Sequence, residues 1–207
     1  MVSPLLATGI VLAGGRATRF GADKLAVQVH GRPILHHAIL AVATVSDEVV
    51  VVIGSDGARP PLPVDAEVRV RVVRDAVANR GPLAGLAAGL AAARGRLAIV
   101  VGGDQPSLSP AVLAELLLWL GQEADGPALD AVALAEDGLV RPLPAALRVA
   151  TVRPVVAALL DAETRSLVGL FEHLRVGTLE PERWRVLDPD SASLRDVDTP
   201  ADDLPRR

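Results

Sequence analysis

The stretch GIVLAGGRATRFGADK, Gly9 to Lys24, decides how the rest of the chain is read. Ile10 to Ala13 is a short apolar run that feeds directly into Gly14 and Gly15, and Arg16, Arg19, Gly21 and Lys24 follow. Glycines at a strand end let backbone N–H groups approach an anion closely, and the cations around them suit a polyphosphate. The frame is neither GxxxxGK[ST] nor GxGxxG, so the stretch is not a P-loop or a dinucleotide fingerprint. The alternative is an arginine-bearing surface loop.

Outward from this stretch, strand and helix patterns alternate. RPILHHAILAVATV carries Ile34, Leu35, Ala38, Ile39 and Val42 at helical spacing. EVVVVIG is a continuous β-branched run closed by Gly54, and GARPPLPVDAE, with three prolines, reads as loop. Val68 to Val73 alternates, which suits a strand nearer an edge. PLAGLAAGLAAA places Pro82 at a helix start, where its missing N–H costs nothing. LAIVVGGD reads as the most deeply buried strand, and SPAVLAELLLWL as a helix with Ser109 as N-cap and Pro110 at the first position. Apolar strands alternating with helices imply a mostly parallel α/β sheet of Rossmann-like type, with helices on both faces.

After Gly121 the pattern changes. LDAVALAEDGLVRPLPAALR predicts two extended segments around an Asp137-Gly138 turn. Short helices are expected at Arg153–Leu160 and Ser166–Leu174, and WRVLD is expected as a last strand. No internal repeat and no long linker divides the chain, so residues 1–207 are expected to form a single domain, the second half elaborating the same sheet.

Composition narrows the function classes. Half of the 207 residues are apolar, yet Phe20, Phe171, Trp119 and Trp184 are the only aromatics, so the core must be built from Ala, Val and Leu. The absence of cysteine excludes disulfides, thiolate metal sites and cysteine nucleophiles. A net charge of −4 with scattered arginines argues against nucleic acid as a partner. No apolar run approaches the roughly 20 residues of a membrane span. The N-terminal segment has no Lys or Arg before Arg16, unlike a secretory leader, so a cytoplasmic location is expected.

Two further segments carry candidate chemistry. In LAIVVGGDQP, Asp104 stands where a buried strand surfaces, at the carboxyl end where open α/β sheets bind ligands. A carboxylate there can hold Mg²⁺ on nucleotide phosphates, or it can cap the following turn. In RDVDTPADDL, Asp196 and Asp198 alternate and point the same way if the segment is extended, unless they form a solvated acidic tail. His36 and His37 sit on the predicted second element and read as packing or surface residues, since no nucleophile needs activating.

Taken together, LAGGRATRFGADK, RDAVANRGPLAGL, GGDQPSL and DVDTPADDL resemble, in order and spacing, the molybdenum cofactor guanylyltransferases within the MobA-like nucleotidyltransferases. The resemblance runs from residue 12 to residue 204. It implies Mg²⁺-dependent transfer of GMP from GTP to molybdopterin with release of pyrophosphate, and molybdenum-insertion or molybdoenzyme-maturation proteins as partners. Carried over by residue, Leu12, Ala13, Gly14 and Gly15 contact the nucleotide, and Arg19 and Lys24 its phosphates. Asp75 lies near the guanosine, Gly81, Pro82 and Leu83 wall the base and sugar, and Asp104 is the metal ligand. The family tail usually reads N.NTP where this chain has DVDTP. Asp198 therefore either joins the metal or replaces an amide contact. Arg141 stands where relatives tend to carry His or Gln, and an arginine there could reach the pterin phosphate. Cytidylyl relatives tend to read LAAG where this chain has LAGG. The rival readings are a molybdopterin cytidylyltransferase or a sugar-phosphate nucleotidyltransferase on the same scaffold, and, in a different class, a non-catalytic nucleotide-binding adaptor.

Overall fold

The structure is a computed structural model that describes residues 7–14, 24–75, 81–122 and 128–196. Seven strands form one sheet, in the order β5 (Arg69–Arg74), β4 (Glu48–Ile53), β1 (Ala7–Leu12), β6 (Leu97–Gly102), β8 (Leu139–Arg148), β7 (Ala131–Glu136) and β9 (Val176–Leu179). β8 alone runs against its neighbours, pairing antiparallel with both β6 and β7, while the other pairs are parallel. A two-residue ribbon, β2 (Gln28–Val29) with β3 (Arg32–Pro33), lies before the first helix.

Period-two alternation sorts the strand side chains onto two faces. Val11, Val49, Val51, Ile99 and Val101 pack with Leu35 and Ile39 of α1 (Ile34–Ala43) and with Leu113 and Leu116 of α3 (Pro110–Gly121). Ile10, Val50, Val52 and Val100 face Leu83, Leu86 and Leu90 of α2 (Pro82–Ala92) and Val152 and Val156 of α4 (Val149–Asp161). With so few aromatics, these aliphatic side chains carry the core. Each one fully buried contributes about 1.5–3 kcal/mol, before the entropy cost of ordering it. β4 is buried at all six positions, one more than β6, whose first residue Leu97 is half-buried.

Connectivity places the crevice. α1, after β1, covers one face, and α2, after β5, covers the other. β4 and β5 are parallel yet joined by the proline-bearing loop 54–68 instead of a helix. The carboxyl ends of β1 and β6 are therefore the topological switch point, where open α/β sheets take their ligands.

The hairpin around Asp137 and Gly138 is as expected. Both residues have positive φ, 52° and 74°, the signature of a two-residue turn matching the strand twist. Three expectations are corrected. WRVLD is not a strand: it lies in helix α6 (Pro181–Leu187), and the last described strand is β9, just before it. Pro181 opens the helix, and Trp184 is fully buried with Nε1 donating to the Ala135 carbonyl at 2.9 Å. Val186, which strand alternation would place beside Trp184, is exposed. The predicted helix at 153–160 begins four residues earlier, at Val149, and the one at 166–174 contracts to α5 (Leu167–Phe171), capped by Ser166, whose hydroxyl accepts from Val168 N. Ser109 occupies the N-cap of α3 without capping it through its side chain; its hydroxyl donates to the Leu187 carbonyl.

Candidate active site

Four strand ends converge at the carboxyl edge of the sheet. Leu12 ends β1, and its carbonyl accepts from Gly103 N at 2.9 Å, while Ala13 N donates to the Val52 carbonyl at 2.7 Å. β1 is thus held between β4 and β6 past its formal end, which fixes where the glycine loop departs. A Cβ placed on Gly14 would sit 3.3 Å from Gly54 N, so the loop starts against the exit of β4. Asp75 N donates to the Ile53 carbonyl at 2.9 Å, setting the exit of β5 beside it. Leu12, Gly14, Asp75 and Asp104, widely separated in sequence, thus lie along one edge.

Asp104 is half-buried in the turn that follows β6. A Cβ on Gly102 would lie 2.6 Å from Asp104 Oδ1, so the carboxylate folds over the last residue of the strand, and any larger residue there would push it aside. The turn is held from beneath by Gln105, which is buried and whose Oε1 accepts from Gly102 N at 2.7 Å.

Gly81 precedes α2 with φ 78° and ψ −178°, a region essentially reserved for glycine. A Cβ there would also meet the Arg165 carbonyl at 2.8 Å. That carbonyl accepts from Leu83 N at 3.3 Å and caps the helix from the α4–α5 connection. Pro82 is exposed, whereas Leu83 is fully buried with its side chain in the core. Leu83 therefore anchors this segment, and Gly81 and Pro82 present its surface.

Lys24 opens a 3-10 turn, Lys24–Ala26, whose Leu25 packs on the core face carrying α1. Gly15, Arg16, Arg19 and Gly21 lie outside the described residues, as does Asp198; Asp196 is the last described residue of the tail. His36 and His37 behave as packing residues. Their Nε2–H groups donate to the carbonyls of Pro61 (3.0 Å) and Val29 (2.8 Å). Arg141, on the hairpin, pairs with Glu136 at 3.6 Å.

The sequence reading assigned no role to Gln105, Arg165 or Arg74. Arg74 Nη1 donates to the carbonyls of Gly57 (2.7 Å) and Ser55 (3.1 Å), bracing the loop that meets Gly14. A signal was present in its place: an arginine closing an edge strand directly before Asp75.

The donor chemistry at this edge is hard oxygen. No three His, Cys, Asp or Glu side chains group as a metal cage among the described residues. A strand-end carboxylate fits a Mg²⁺- or Mn²⁺-like cation that takes its remaining ligands from phosphate and water. Backbone N–H groups of the glycine loop suit the same phosphates.

A family model described as the MobA-like NTP transferase domain matches residues 9–176. A Chloroflexus aggregans protein named probable molybdenum cofactor guanylyltransferase is 32% identical over 201 residues, covering 96% of this chain and 92% of that one. The crystal structure of molybdopterin-guanine dinucleotide biosynthesis protein A from Archaeoglobus fulgidus superposes with a TM-score of 0.73 at 21% identity, over 95% of this chain and 94% of that one. A Mycobacterium tuberculosis protein crystallised with manganese superposes with a TM-score of 0.59 at 22% identity, over 84% and 88% of the two chains.

Proposed function

Since the chain belongs to the MobA-like NTP transferase family, we propose that it transfers GMP from GTP to molybdopterin and releases pyrophosphate. The reading takes residues 1–207 as one transferase domain. The observation that carries it is the convergence of Gly14, Asp75 and Asp104 on one sheet edge beside the Gly81–Pro82 surface.

The backbone from Leu12 to Gly15 receives the nucleotide, and Arg19 and Lys24 balance the negative charge of the triphosphate. Asp75 accepts hydrogen bonds from the guanosine, and Gly81 and Pro82 wall it. Asp104, with Asp198, holds Mg²⁺. That ion, when bound, would supply the positive charge that offsets the phosphates. The acceptor's terminal phosphate oxygen attacks the α-phosphorus in line, forming one P–O bond as the bond to pyrophosphate breaks. No covalent protein intermediate is needed, so the residues act by positioning and by electrostatic stabilisation. No described helix is long and apolar enough to cross a membrane. A cytoplasmic setting, with hand-over of the product to molybdenum-insertion or molybdoenzyme-maturation proteins, completes the reading.

The test is turnover with GTP, CTP and ATP offered separately, with molybdopterin as acceptor and Mg²⁺ as cation. GTP is expected to be the preferred donor. Equal or better use of CTP would replace the guanylyl reading with the cytidylyl one.

A further inference from the structure

A second set of buried polar contacts lies directly behind Asp104, and phosphate binding does not account for it. Gln105 spans two parts of the chain: Oε1 accepts from Gly102 N at 2.7 Å, and Nε2 donates to the Ser193 carbonyl at 3.1 Å. Ser193 belongs to a 3-10 turn, Ala192–Leu194, which lies two residues before Asp196. The turn has two further ties. Ser193 Oγ accepts from Ser109 N at 2.8 Å, and the Asp188 carboxylate accepts from Ala192 N (3.0 Å) and Ser193 N (2.8 Å). Leu194 is buried against the face carrying α1 and α3. Gln105 and Ser193 are themselves buried, so neither end of the amide is free to exchange its partner for water.

We propose that Gln105 is a positioning residue that couples the Asp104 turn to the Ala192–Leu194 turn, so that the Asp104 carboxylate meets a cation already held in place. The inference rests on Asp104 being a metal-holding carboxylate in the reaction proposed above. Physically, a side chain that ties the strand end to the tail turn removes one independent motion between them. A cation then meets an Asp104 carboxylate already in place. An apolar residue of similar length fills the space but makes neither bond.

The test is amide hydrogen exchange of the full chain with and without GTP plus Mn²⁺, for the wild type and Gln105→Met. In the wild type, ligand is expected to slow exchange at both 102–105 and 192–194. In Gln105→Met it should slow exchange at 102–105 alone. The Mn²⁺ concentration for half-maximal turnover should also rise about tenfold or more, while kcat at saturating Mn²⁺ stays close to wild type. A merely structural glutamine would lower Tm without moving the Mn²⁺ requirement, and that result overturns the proposal. So does protection of 192–194 persisting in the variant. Wild-type protection at 102–105 without 192–194 overturns the coupling and leaves the guanylyl reading standing, whereas protection at neither segment overturns both. Should Gln105→Met fail to fold, Gln105→Asn carries the same test, because it is one methylene too short to span from Gly102 to Ser193.

Discussion

The two ends of the sheet are built from different chemistry. At the amino end, polar side chains are satisfied by the protein itself. Glu48 is 2% exposed, yet it accepts from the Thr8 hydroxyl (3.1 Å), from Arg94 N (3.0 Å) and from both Arg71 Nε (3.2 Å) and Nη2 (2.8 Å). The Arg71 fork continues to the Ala92 carbonyl, and Thr8 also accepts from Gly95 N. Further along that edge, Arg148 donates to the Leu129 and Leu120 carbonyls, and Asp130 pairs with Arg175. The carboxyl end instead offers glycines, exposed Pro82 and a half-buried Asp104. The amino end ties its charges into the strands, whereas the carboxyl end sets its carboxylates among glycines and an exposed proline. An ionic side chain near a sheet is therefore no mark of a ligand site where the fold itself supplies its partners.

The sharpest test of that contrast is Asp104→Asn. Asparagine caps a turn about as well as aspartate, so a merely structural residue would leave activity intact. A metal-holding carboxylate predicts loss of turnover by orders of magnitude with Tm nearly unchanged, read from a Mg²⁺ titration beside a thermal melt. Glu48→Ala should do the reverse. It strands Arg71 and removes the acceptor of the Thr8 hydroxyl, while Arg94 N keeps its bond to Thr8 Oγ1, costing about 3–5 kcal/mol, toward the lower end because Arg71 is partly wet. Denaturant unfolding checks the loss, and kcat/KM per folded molecule should hold. If Glu48→Ala abolishes catalysis in a protein that still melts normally, the division between the ends fails.

Gly81→Ala probes the boundary. It forces an alanine into a glycine-only conformation and against the Arg165 carbonyl, so about 1–3 kcal/mol of strain is expected. Relief of that strain by movement of the α2 start should appear as a raised KM for GTP as well as a lowered Tm. The smallest effect belongs to Asp130. Its hydrogen bonds from Arg175 hold the carboxyl below the usual carboxylate range, against the opposing effect of burial. Because the folded-state value is depressed, the pair's contribution is present above the unfolded value of about 3.9 and is lost as pH falls through the folded value. Melting wild type and Asp130→Asn from about pH 6 down to about pH 2 should show their Tm difference shrinking below about pH 4. A difference independent of pH would remove Asp130 from the stabilising end.

Much of this division was legible in the sequence. EVVVVI and LAIVVG read as buried strands and are the β4 and β6 that flank β1, and the glycine–cation stretch starts at the carboxyl edge of the sheet. What escaped was long-range. WRVLD has the composition of a strand, and only the pocket beneath Ala135 explains why Trp184 turns inward on a helix. Glu48 reads as the polar start of a strand until Thr8 and Arg71 are brought beside it. Gln105 stood in plain view next to Asp104, but its partner lies 88 residues away. Period and propensity are local, whereas these assignments depend on which backbone carbonyls the fold leaves unclaimed.

The docking of the Ala192–Leu194 turn also has a consequence for how the protein is made. A ribosome delivers the sheet in order, and every strand from β1 to β9 has been synthesised by Leu179. The bonds from Gln105 and Ser109 to Ser193 cross 88 and 84 residues, and they cannot form until the turn has left the exit tunnel. All the described strands are therefore synthesised before the Asp104 turn has its last support, and Leu194 joins the core together with that support. Release of a chain stopped after Leu187 would yield a folded sheet with Gln105 and Ser109 N–H deprived of their acceptors. Synthesis of the Ala192–Leu194 turn, rather than of the last described strand, is the event that completes the support of the Asp104 turn.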